Sequence, residues 1–247
     1  MLDEFFARNP RVAVAYSGGV DSSYLLYAAL TAGCDIRAYF IKSQFQPEFE
    51  LNDAMRLAEE LGAPLIVRAL DALRDPAIAR NPADRCYRCK TMIMSEIWQL
   101  ARADGYSVLC DGTNADDSDA DRPGMRAIRE LGVVSPLRDC GVTKADIRRL
   151  SKQAGLFTYD KPSYACLATR IPTGTAITPE LLGRVERAEN SLLKMGFSDF
   201  RVRFLPPDIA RIQIQEREWD MAAARRVEIL EAMKPDFGAA VLDLTAR

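Results

Sequence analysis

The stretch RVAVAYSGGVDSS, residues 11–23, decides the fold of this 247-residue chain. It begins with an apolar run that is typical of a parallel strand buried on both faces. Two glycines and several hydroxyl and carboxylate side chains follow at once, and then comes the helix-like stretch YLLYAALTAG, residues 24–33. A strand, a glycine turn and a helix in this order predict that backbone amides at the helix start face an anion.

Strand-like and helix-like segments alternate in this way up to about residue 160. The predicted strands are Val12–Tyr16, Ile36–Ile41, Leu65–Leu70, Ser107–Asp111 and Val133–Leu137. The predicted helices are Asp21–Ala32, Glu48–Leu61, Tyr87–Ala103, Arg122–Leu131 and Lys144–Gln153, the last with Thr143 as its N-cap. Such alternation predicts an α/β fold with a doubly wound parallel sheet, which binds ligands at the carboxyl ends of its strands.

The remainder of the chain has a different pattern. Residues 159–176, YDKPSYACLATRIPTGTA, contain two prolines and a glycine and have no periodicity, so we expect a linker or a site loop. The elements predicted beyond it are the helices Pro179–Met195 and Glu216–Met233 and the strands Phe200–Leu205, Ala210–Ile214 and Ala239–Leu244. A smaller C-terminal α+β domain is therefore expected.

Composition limits the class of protein. The chain has a net charge of −2, whereas a general nucleic-acid binder has an excess of basic residues. No apolar window has the length of a signal peptide core or a membrane span, so we expect a cytoplasmic protein without a membrane partner. The absence of histidine excludes a Ser-His-Asp triad, a Cys-His pair and any His-ligated metal.

The glycine turn differs from the two familiar phosphate loops. It has neither the Lys of a Walker A loop nor the G-x-G-x-x-G of a dinucleotide fingerprint. Gly18 and Gly19 permit a tight turn with exposed amides, a nest that suits a diphosphate. Asp21 would repel bare phosphate unless Mg2+ lies between them, which favours a nucleoside triphosphate. Hydroxyl donors are available from Ser17, Ser22 and Ser23.

The spacing of the six cysteines is also informative. Cys86 and Cys89 form a CxxC at a loop-to-helix junction, where the helix dipole favours thiolates, and Cys166 stands alone in the proline-containing loop. Three thiolates suit a 4Fe-4S cluster with one open iron; a zinc site with a fourth ligand, a redox or persulfide pair and structural thiols are the alternatives. The remaining three are interpreted as small buried thiols: Cys34, Cys110 and Cys140.

The string SGGVDSS resembles the signature of the PP-loop ATP pyrophosphatases. The resemblance implies that ATP is cleaved between its α and β phosphates while the loop holds the pyrophosphate. It also assigns metal and phosphate contacts to CDGTNADD, residues 110–117, and adenine contacts to IKSQ, residues 41–44. The implied ATP-binding residues are Ser17, Gly18, Gly19, Asp21, Ser22, Ser23, Ser43, Asp111, Thr113, Asn114 and Asp117.

The whole pattern of SGGVDSS, RCYRCK, DGTNADD and KPSYACLATRIPTGTAIT resembles the ATP-dependent sulfur transferases of the LarE family. The resemblance implies adenylation of the carboxylates of a pyridinium dicarboxylate mononucleotide and their conversion to thiocarboxylates, in nickel-pincer nucleotide biosynthesis. In one branch, the cysteine at the place of Cys166 gives up its own sulfur. In the other, Cys86, Cys89 and Cys166 hold a 4Fe-4S cluster that supplies it, and the CxxC resembles this branch.

Further roles follow from the same resemblance. Residues 1–160 would form the ATP pyrophosphatase domain, 161–176 the cysteine-bearing site loop, and 177–247 a substrate and oligomerisation domain of a homo-oligomer. The cofactors would be ATP, Mg2+ and the cluster, with Asp21 and the three cysteines as catalytic residues. The substrate phosphate would be bound by Arg201, Arg203 and Arg170, and acidic metal-site candidates would be Glu189 and Asp220; Lys90 and Lys161 are further basic groups near the motifs.

Three other functions are alternatives to sulfur transfer onto a mononucleotide. A tRNA thiolation enzyme would adenylate a base carbonyl and carry an RNA-binding domain or a basic face, neither of which is visible. An amidating synthetase would use ammonia and need no cysteines. A nucleotide sensor or iron-sulfur scaffold would bind ATP without releasing pyrophosphate.

Overall fold

The computed structural model describes residues 1–117 and 123–247. It consists of two compact units: Met1–Ala72 with Asp84–Ser163, and Leu73–Ala83 with Tyr164–Arg247. The segment Leu73–Ala83 makes its contacts with the C-terminal unit, whereas the division expected from the sequence assigned it to the first domain.

The first unit contains a parallel sheet of four strands in the order β3-β2-β1-β4. These strands are β1 Arg11–Ala15, β2 Asp35–Lys42, β3 Leu65–Ala69 and β4 Leu109–Cys110. The helices in residues 1–117 and 123–247 are α1 Leu2–Arg8, α2 Val20–Thr31, α3 Glu48–Glu60, α4 Pro76–Ala79, α5 Arg85–Ala103, α6 Pro123–Glu130, α7 Pro136–Asp139, α8 Lys144–Gln153, α9 Pro179–Lys194, α10 Trp219–Ala224 and α11 Arg226–Met233. The predicted α/β fold is thereby confirmed.

The strand β1 is buried on both faces, as its continuous apolar run predicts. Val12 and Val14 belong to a core cluster that includes Leu25 and Leu26 of α2. Ala13 belongs to a second cluster, which includes Trp98 of α5. Successive strand residues thus contact different helices, and this two-sided packing fixes the loop between β1 and α2 at the carboxyl edge of the sheet.

Several predicted elements differ in the structure. The prediction of a strand at Val133–Leu137 was wrong: one parallel bridge joins Val134 to Cys110, and Pro136 begins α7, where its fixed φ and missing N–H suit a first helical turn. The helix expected over Glu216–Met233 is divided into a 3-10 turn, α10 and α11. The predicted start of α6 at Arg122 lies outside the described residues.

The second unit contains a three-stranded sheet in the order β5-β6-β7, with β5 Arg201–Leu205, β6 Ile209–Gln213 and β7 Ala239–Leu242. β5 and β6 are antiparallel, and β6 and β7 are parallel. Thr178 caps α9 by accepting a hydrogen bond from the amide of Leu181 at 3.1 Å. None of the helices in the described part of the chain combines the length and the apolar character needed to cross a membrane.

Candidate active site

The loop between β1 and α2 requires a glycine at position 18 for two reasons. Gly18 has a φ of +71°, which is unfavourable for other residues. A Cβ atom there would also lie 3.0 Å from Ala54 Cβ and 3.0 Å from the carbonyl oxygen of Glu50, so the loop rests directly on α3. The loop has one defined backbone path as a result, which a preformed anion site needs.

Serine hydroxyls close this loop on itself. The Oγ atoms of Ser17 and Ser22 are 3.0 Å apart, and Ser22 Oγ donates to the carbonyl oxygen of Gly19 at 3.2 Å. The Gly19 amide lies 3.4 Å from Ser17 Oγ, while Gly19 itself is the extended N-cap of α2. Amides and hydroxyls therefore converge at the helix start, where the dipole favours negative charge.

A polar cavity of about 240 Å3 lies against this loop at the carboxyl ends of β1 and β4. It brings together the glycine turn, the loop after β4 and one face of α5, which are far apart in the sequence. Its lining residues are Ala15, Ser17, Gly19, Asp21, Ser22, Lys90, Met94, Asp111, Gly112, Thr113 and Asp117. Seven of the residues expected to bind ATP are in that set, whereas Gly18, Ser23, Ser43 and Asn114 are not among the described residues that line it.

Gly112 joins the two loops through their backbones. A Cβ at this position would lie 2.7 Å from the amide nitrogen of Ser22 and 3.0 Å from its Cα, a clash with main-chain atoms. The sequence contained a signal for this contact in the DGTN string, but the partner across the cavity could not be read from it.

The loop after β4 is held by its own acidic and amide side chains. Asp111 is buried and accepts hydrogen bonds from Thr113 Oγ1 at 2.6 Å and from Ser135 Oγ at 2.7 Å. The amide of Asn114 donates to Asp117 Oδ2 at 3.1 Å. Asp111 and Asn114 thus shape the loop, and Thr113 and Asp117 face the cavity.

Asp21 forms an ion pair with Lys144, which was not among the site residues predicted from the sequence. Lys144 Nζ lies 2.6 and 2.8 Å from the two carboxylate oxygens of Asp21. Burial raises the pKa of Asp21, the Lys144 ammonium opposes the rise, and the carboxylate of Asp117 adds to it. Lys144 is the first residue of α8 and lies within the Thr143–Asp146 capping box, so the helix start fixes its backbone.

Ser43, expected to contact adenine, is buried in a turn after β2. Its hydroxyl donates to Gln46 Oε1 at 2.7 Å, and its amide donates to the same oxygen at 2.9 Å. Adenine binding at this residue stays a prediction.

The CxxC motif lies in the first two turns of α5. Cys86, Lys90 and Met94 follow one another at intervals of four residues, so they share one face of the helix. Lys90 and Met94 line the cavity, and Cys86, which is exposed, continues this row toward the helix start. Arg85 Nη2 lies 3.4 Å from Cys86 Sγ.

The third cysteine of the trio, Cys166, belongs to the second unit. It precedes a short 3-10 helix, and its carbonyl oxygen accepts hydrogen bonds from Thr169 Oγ1 at 2.8 Å and from Arg170 Nη1 at 3.3 Å. Within residues 1–117 and 123–247, no group of three or more Cys, Asp or Glu side chains is arranged to hold a metal ion. Cys86 and Cys89 belong to the first unit and Cys166 to the second, so the expected 4Fe-4S cluster stays a prediction.

Arg170 and Glu189 form a buried ion pair in the second unit, with side chains 0% and 5% exposed. Arg170 Nε and Nη2 lie 2.8 and 3.1 Å from the two carboxylate oxygens, and Nη1 lies 2.6 Å from the carbonyl oxygen of Ala165. The Glu189 carboxylate also accepts hydrogen bonds from the Val202 amide at 2.9 Å and from the Tyr164 hydroxyl. Arg170 thus anchors the backbone beside Cys166 from within the core, and Glu189 anchors Arg170.

Arg201 and Arg203 lie next to this pair. Arg201 is buried, and its guanidinium stands 4.9 Å from the ring centre of Tyr164. Burial and the charges of Arg170 and Arg247 lower the pKa of Arg201 to about 10. Arg203 donates to neutral acceptors, Gln213 Oε1 at 2.6 Å and the carbonyl oxygen of Thr169 at 2.8 Å.

This group of four arginines, Arg170, Arg201, Arg203 and Arg247, is the arginine cluster of the second unit. Carboxylates that bond to this cluster include those of Glu189 and Asp199, the latter 2.6 Å from Arg247 Nη1. Clustered guanidinium groups suit an anionic ligand. Asp220, the other acidic metal-site candidate, is exposed on α10.

The parallel sheet, the SGGVDSS loop and the polar cavity define an ATP-dependent PP-loop enzyme. No family model matches the chain. An uncharacterised protein of Synechocystis sp. is 35% identical over 240 residues, which is 93% of this chain and 88% of that protein. The pyridinium-3,5-bisthiocarboxylic acid mononucleotide synthase of Lactiplantibacillus plantarum is 38% identical over 208 residues, 83% of this chain and 75% of that enzyme.

The chain belongs to the family of this synthase, the LarE family, and is an ATP-dependent sulfur-transferring enzyme. A more distant relative is the tRNA-specific 2-thiouridylase MnmA of Thermobifida fusca, 26% identical over 189 residues, 62% of this chain and 51% of that enzyme.

Proposed function

We propose that this enzyme adenylates a carboxylate of a pyridinium dicarboxylate mononucleotide and converts it to a thiocarboxylate, in the synthesis of a nickel-pincer nucleotide. The observation that carries the proposal is the cavity in which the SGGVDSS loop, Asp21 and the DGTNADD loop meet. The 38% identity to a pyridinium-3,5-bisthiocarboxylic acid mononucleotide synthase supports the substrate class.

The first step follows from the chemistry of the carboxylate. A free carboxylate resists attack by sulfur because its leaving group would be oxide. Its oxygen therefore attacks the α-phosphorus of ATP, the bond from that phosphorus to the bridging oxygen breaks, and pyrophosphate leaves. Amides at Gly18 and Gly19 and hydroxyls at Ser17 and Ser22 stabilise the charge on the departing pyrophosphate.

Mg2+ would bind beside this loop. It is held in proteins by one or two carboxylates together with waters and substrate phosphates, so the Asp21 and Asp117 oxygens fit it without a larger ligand group. Its role when bound is to neutralise charge on the phosphates. Lys144, which bonds to Asp21, would supply a second positive charge beside this metal position.

The sulfur step is proposed through Cys166. Its thiolate attacks the acyl carbon of the adenylate, AMP leaves, and a thioester to Cys166 results. Removal of the Cα proton then breaks the Cβ–S bond, which releases the thiocarboxylate and leaves dehydroalanine at position 166. Arg170 supports this chemistry by holding the carbonyl groups of Ala165 and Cys166. A 4Fe-4S cluster held by Cys86, Cys89 and Cys166 is the alternative sulfur source, and iron and sulfide analysis distinguishes it from the Cys166 step.

The arginine cluster is the proposed site for the mononucleotide phosphate. Arg201 and Arg203 lie two residues apart on β5 and so project to the same face of the strand. Two guanidinium groups can grip one phosphate with several charge-assisted hydrogen bonds.

A single-turnover experiment tests the function. Protein purified without oxygen is assayed for iron and sulfide and then given Mg·ATP and the pyridinium dicarboxylate mononucleotide. We expect AMP and pyrophosphate in equal amounts, a thiocarboxylate product, no iron, and a loss of protein mass equal to one hydrogen sulfide. Formation of ADP, or no pyrophosphate, would overturn the proposal. Iron with unchanged mass would overturn the Cys166 step and favour the cluster.

The MnmA relatives support a second candidate, thiolation of a tRNA base. An electrophoretic mobility assay with bulk tRNA at low and high salt distinguishes the two functions. Salt-dependent binding and thiolated tRNA would favour this candidate, and no shift would favour the mononucleotide.

A further inference from the structure

Lys161 contacts the phosphate loop from the side of α3. Its Nζ lies 3.2 Å from the carbonyl oxygen of Gly18 and 2.6 Å from Asp53 Oδ2. It also stands 5.4 Å from the ring centre of Phe49, and its side chain is only 13% exposed. Asp53 and Phe49 both belong to α3, so the ammonium binds the loop and the helix beneath it at once.

The backbone at Lys161 is held separately. Arg148 of α8 donates to the carbonyl oxygen of Tyr159 at 2.8 Å and to that of Lys161 at 2.9 Å. These two bonds fix the segment after the 3-10 helix Phe157–Asp160. The ammonium is therefore presented to Gly18 from a fixed main chain, which reduces the entropy lost in making this contact.

The contact with Gly18 controls the direction of a neighbouring amide. In a trans peptide the C=O of one residue and the N–H of the next point in opposite directions. The carbonyl of Gly18 points toward Lys161, so the Gly19 N–H points away from it. Gly19 lines the cavity, and its N–H lies near Ser17 Oγ.

Without this contact, the peptide between the two glycines would keep the long hydrogen bond of 3.4 Å from the Gly19 amide to Ser17 Oγ as its remaining side-chain contact among the described residues. Gly18 and Gly19 lack Cβ atoms, so rotation of the plane between them meets little steric resistance. A flipped plane would turn a carbonyl oxygen toward the phosphates and remove an amide donor. Both changes disfavour binding of an anion.

We propose that Lys161 is a positioning residue that locks the Gly18–Gly19 peptide with its amide available to the pyrophosphate end of ATP. Its ammonium serves the loop carbonyl and Asp53 and does not bind phosphate itself. The inference rests on the proposed function, because it assumes that this loop holds the pyrophosphate.

The test compares the binding of inorganic pyrophosphate and of AMP, by calorimetry with magnesium present. Lys161→Met is expected to weaken pyrophosphate binding roughly tenfold, the effect of losing one hydrogen bond to a charged ligand. AMP binding should change less than twofold, since AMP lacks the leaving phosphates. Lys161→Arg should restore most of the affinity because a guanidinium can donate to Gly18. The control is Lys152→Met, which removes a lysine that contacts the Tyr159 ring and should leave both affinities unchanged.

A second variant and a spectroscopic measurement keep the test decisive if the methionine variant does not fold. Lys161→Gln keeps a donor for Asp53 but is one atom shorter, so it should show the same selective loss. The amide resonance of Gly19 should shift on adding pyrophosphate to the wild type and shift much less in Lys161→Gln. Equal loss of AMP and pyrophosphate, or no loss, would overturn the role of Lys161 alone. A wild type that binds no pyrophosphate would overturn the proposed function along with it.

Discussion

Asp21 shows that a residue placed to bind a charged ligand can lower the stability of the folded protein. Its carboxylate is partly buried beside Asp117, and the single ammonium of Lys144 does not offset the loss of hydration, so its pKa is raised. The residue is expected to be retained for the metal and phosphate that it faces in the proposed reaction.

We predict that Asp21→Asn lowers the rate of pyrophosphate release by about 100-fold or more without lowering the melting temperature at pH 7. A raised folded pKa means that the ionised carboxylate opposes folding at pH values above that pKa. This cost disappears as the pH falls through the folded pKa to below the ordinary value of 3.8. The stability difference between the variant and the wild type should therefore shrink in acid, as measured by thermal unfolding between pH 7 and pH 3. A variant that melts well below the wild type at pH 7 would contradict this prediction.

Single residues also show what the sequence could and could not predict. The phosphate loop was predictable because its signature is local: Gly18 is required by its own φ of +71°. Lys144 was missed because its partner Asp21 is 123 positions away in the chain. Arg170 was singled out as a phosphate contact, whereas its side chain is buried against Glu189, a partner that only folding reveals.

At the scale of elements, α8 links two contacts of the phosphate site. Lys144 at its start bonds to Asp21, and Arg148 one turn later holds the backbone of Lys161. The helix start is defined by Thr143 Oγ1, which accepts the Asp146 amide at 3.1 Å. The predicted N-cap was correct here because a capping box is a local pattern.

We predict that Thr143→Ala lowers the free energy of unfolding by about 1 kcal/mol and raises the KM for ATP severalfold. The start of α8 would fray, and Lys144 would lose its fixed position beside Asp21. Chemical denaturation and steady-state pyrophosphate release measure the two effects. Thr143→Ser, which retains the hydroxyl cap, should resemble the wild type in both assays; a normal KM in the alanine variant would show that α8 does not position Lys144.

The arginine cluster yields a second prediction at this scale. Inorganic phosphate at about one hundred times its Kd should raise the melting temperature by roughly 5 °C, because it relieves repulsion among the guanidinium groups. Arg201→Met should remove most of this shift. Arg187→Met is the matched control, since Arg187 is exposed on α9 and pairs with Asp236. An equal shift in the Arg201 and Arg187 variants would place the phosphate elsewhere.

Helices and strands were predicted well where the periodicity of their apolar residues matched a single buried face. The strand expected at Val133–Leu137 failed because its apolar run ends in Ser-Pro, and Pro136 favours a helix start over a further ladder bond. The contacts of the segment Leu73–Ala83 with the second unit could not be predicted, since its partners lie about ninety positions later in the chain, as in the bond from Asn81 to Pro172.

Considered as a whole molecule, the chain carries its nucleotide cavity in one compact unit and Cys166 in the other. Adenylation and sulfur transfer in the proposed reaction are therefore separable by mutation.

We predict that Cys166→Ala abolishes thiocarboxylate formation but retains pyrophosphate release within about threefold. The thiolate takes no part in the first step, and alanine leaves the carbonyl that Arg170 binds. Exchange of labelled pyrophosphate into ATP, in the presence of the mononucleotide, measures the first step alone. Cys34→Ala should leave both steps intact, since Cys34 packs against the core beside α1. Loss of exchange in Cys166→Ala would contradict the separation.

The close approach of Gly112 to the backbone of Ser22 has a wider consequence. Main-chain atoms, which a substitution does not remove, set the distance between the two loops that line the polar cavity. Attempts to redesign this enzyme for another triphosphate can alter the base or the acceptor by changing side chains. The distance between the two loops beside the phosphates will stay the same in every such variant that still folds.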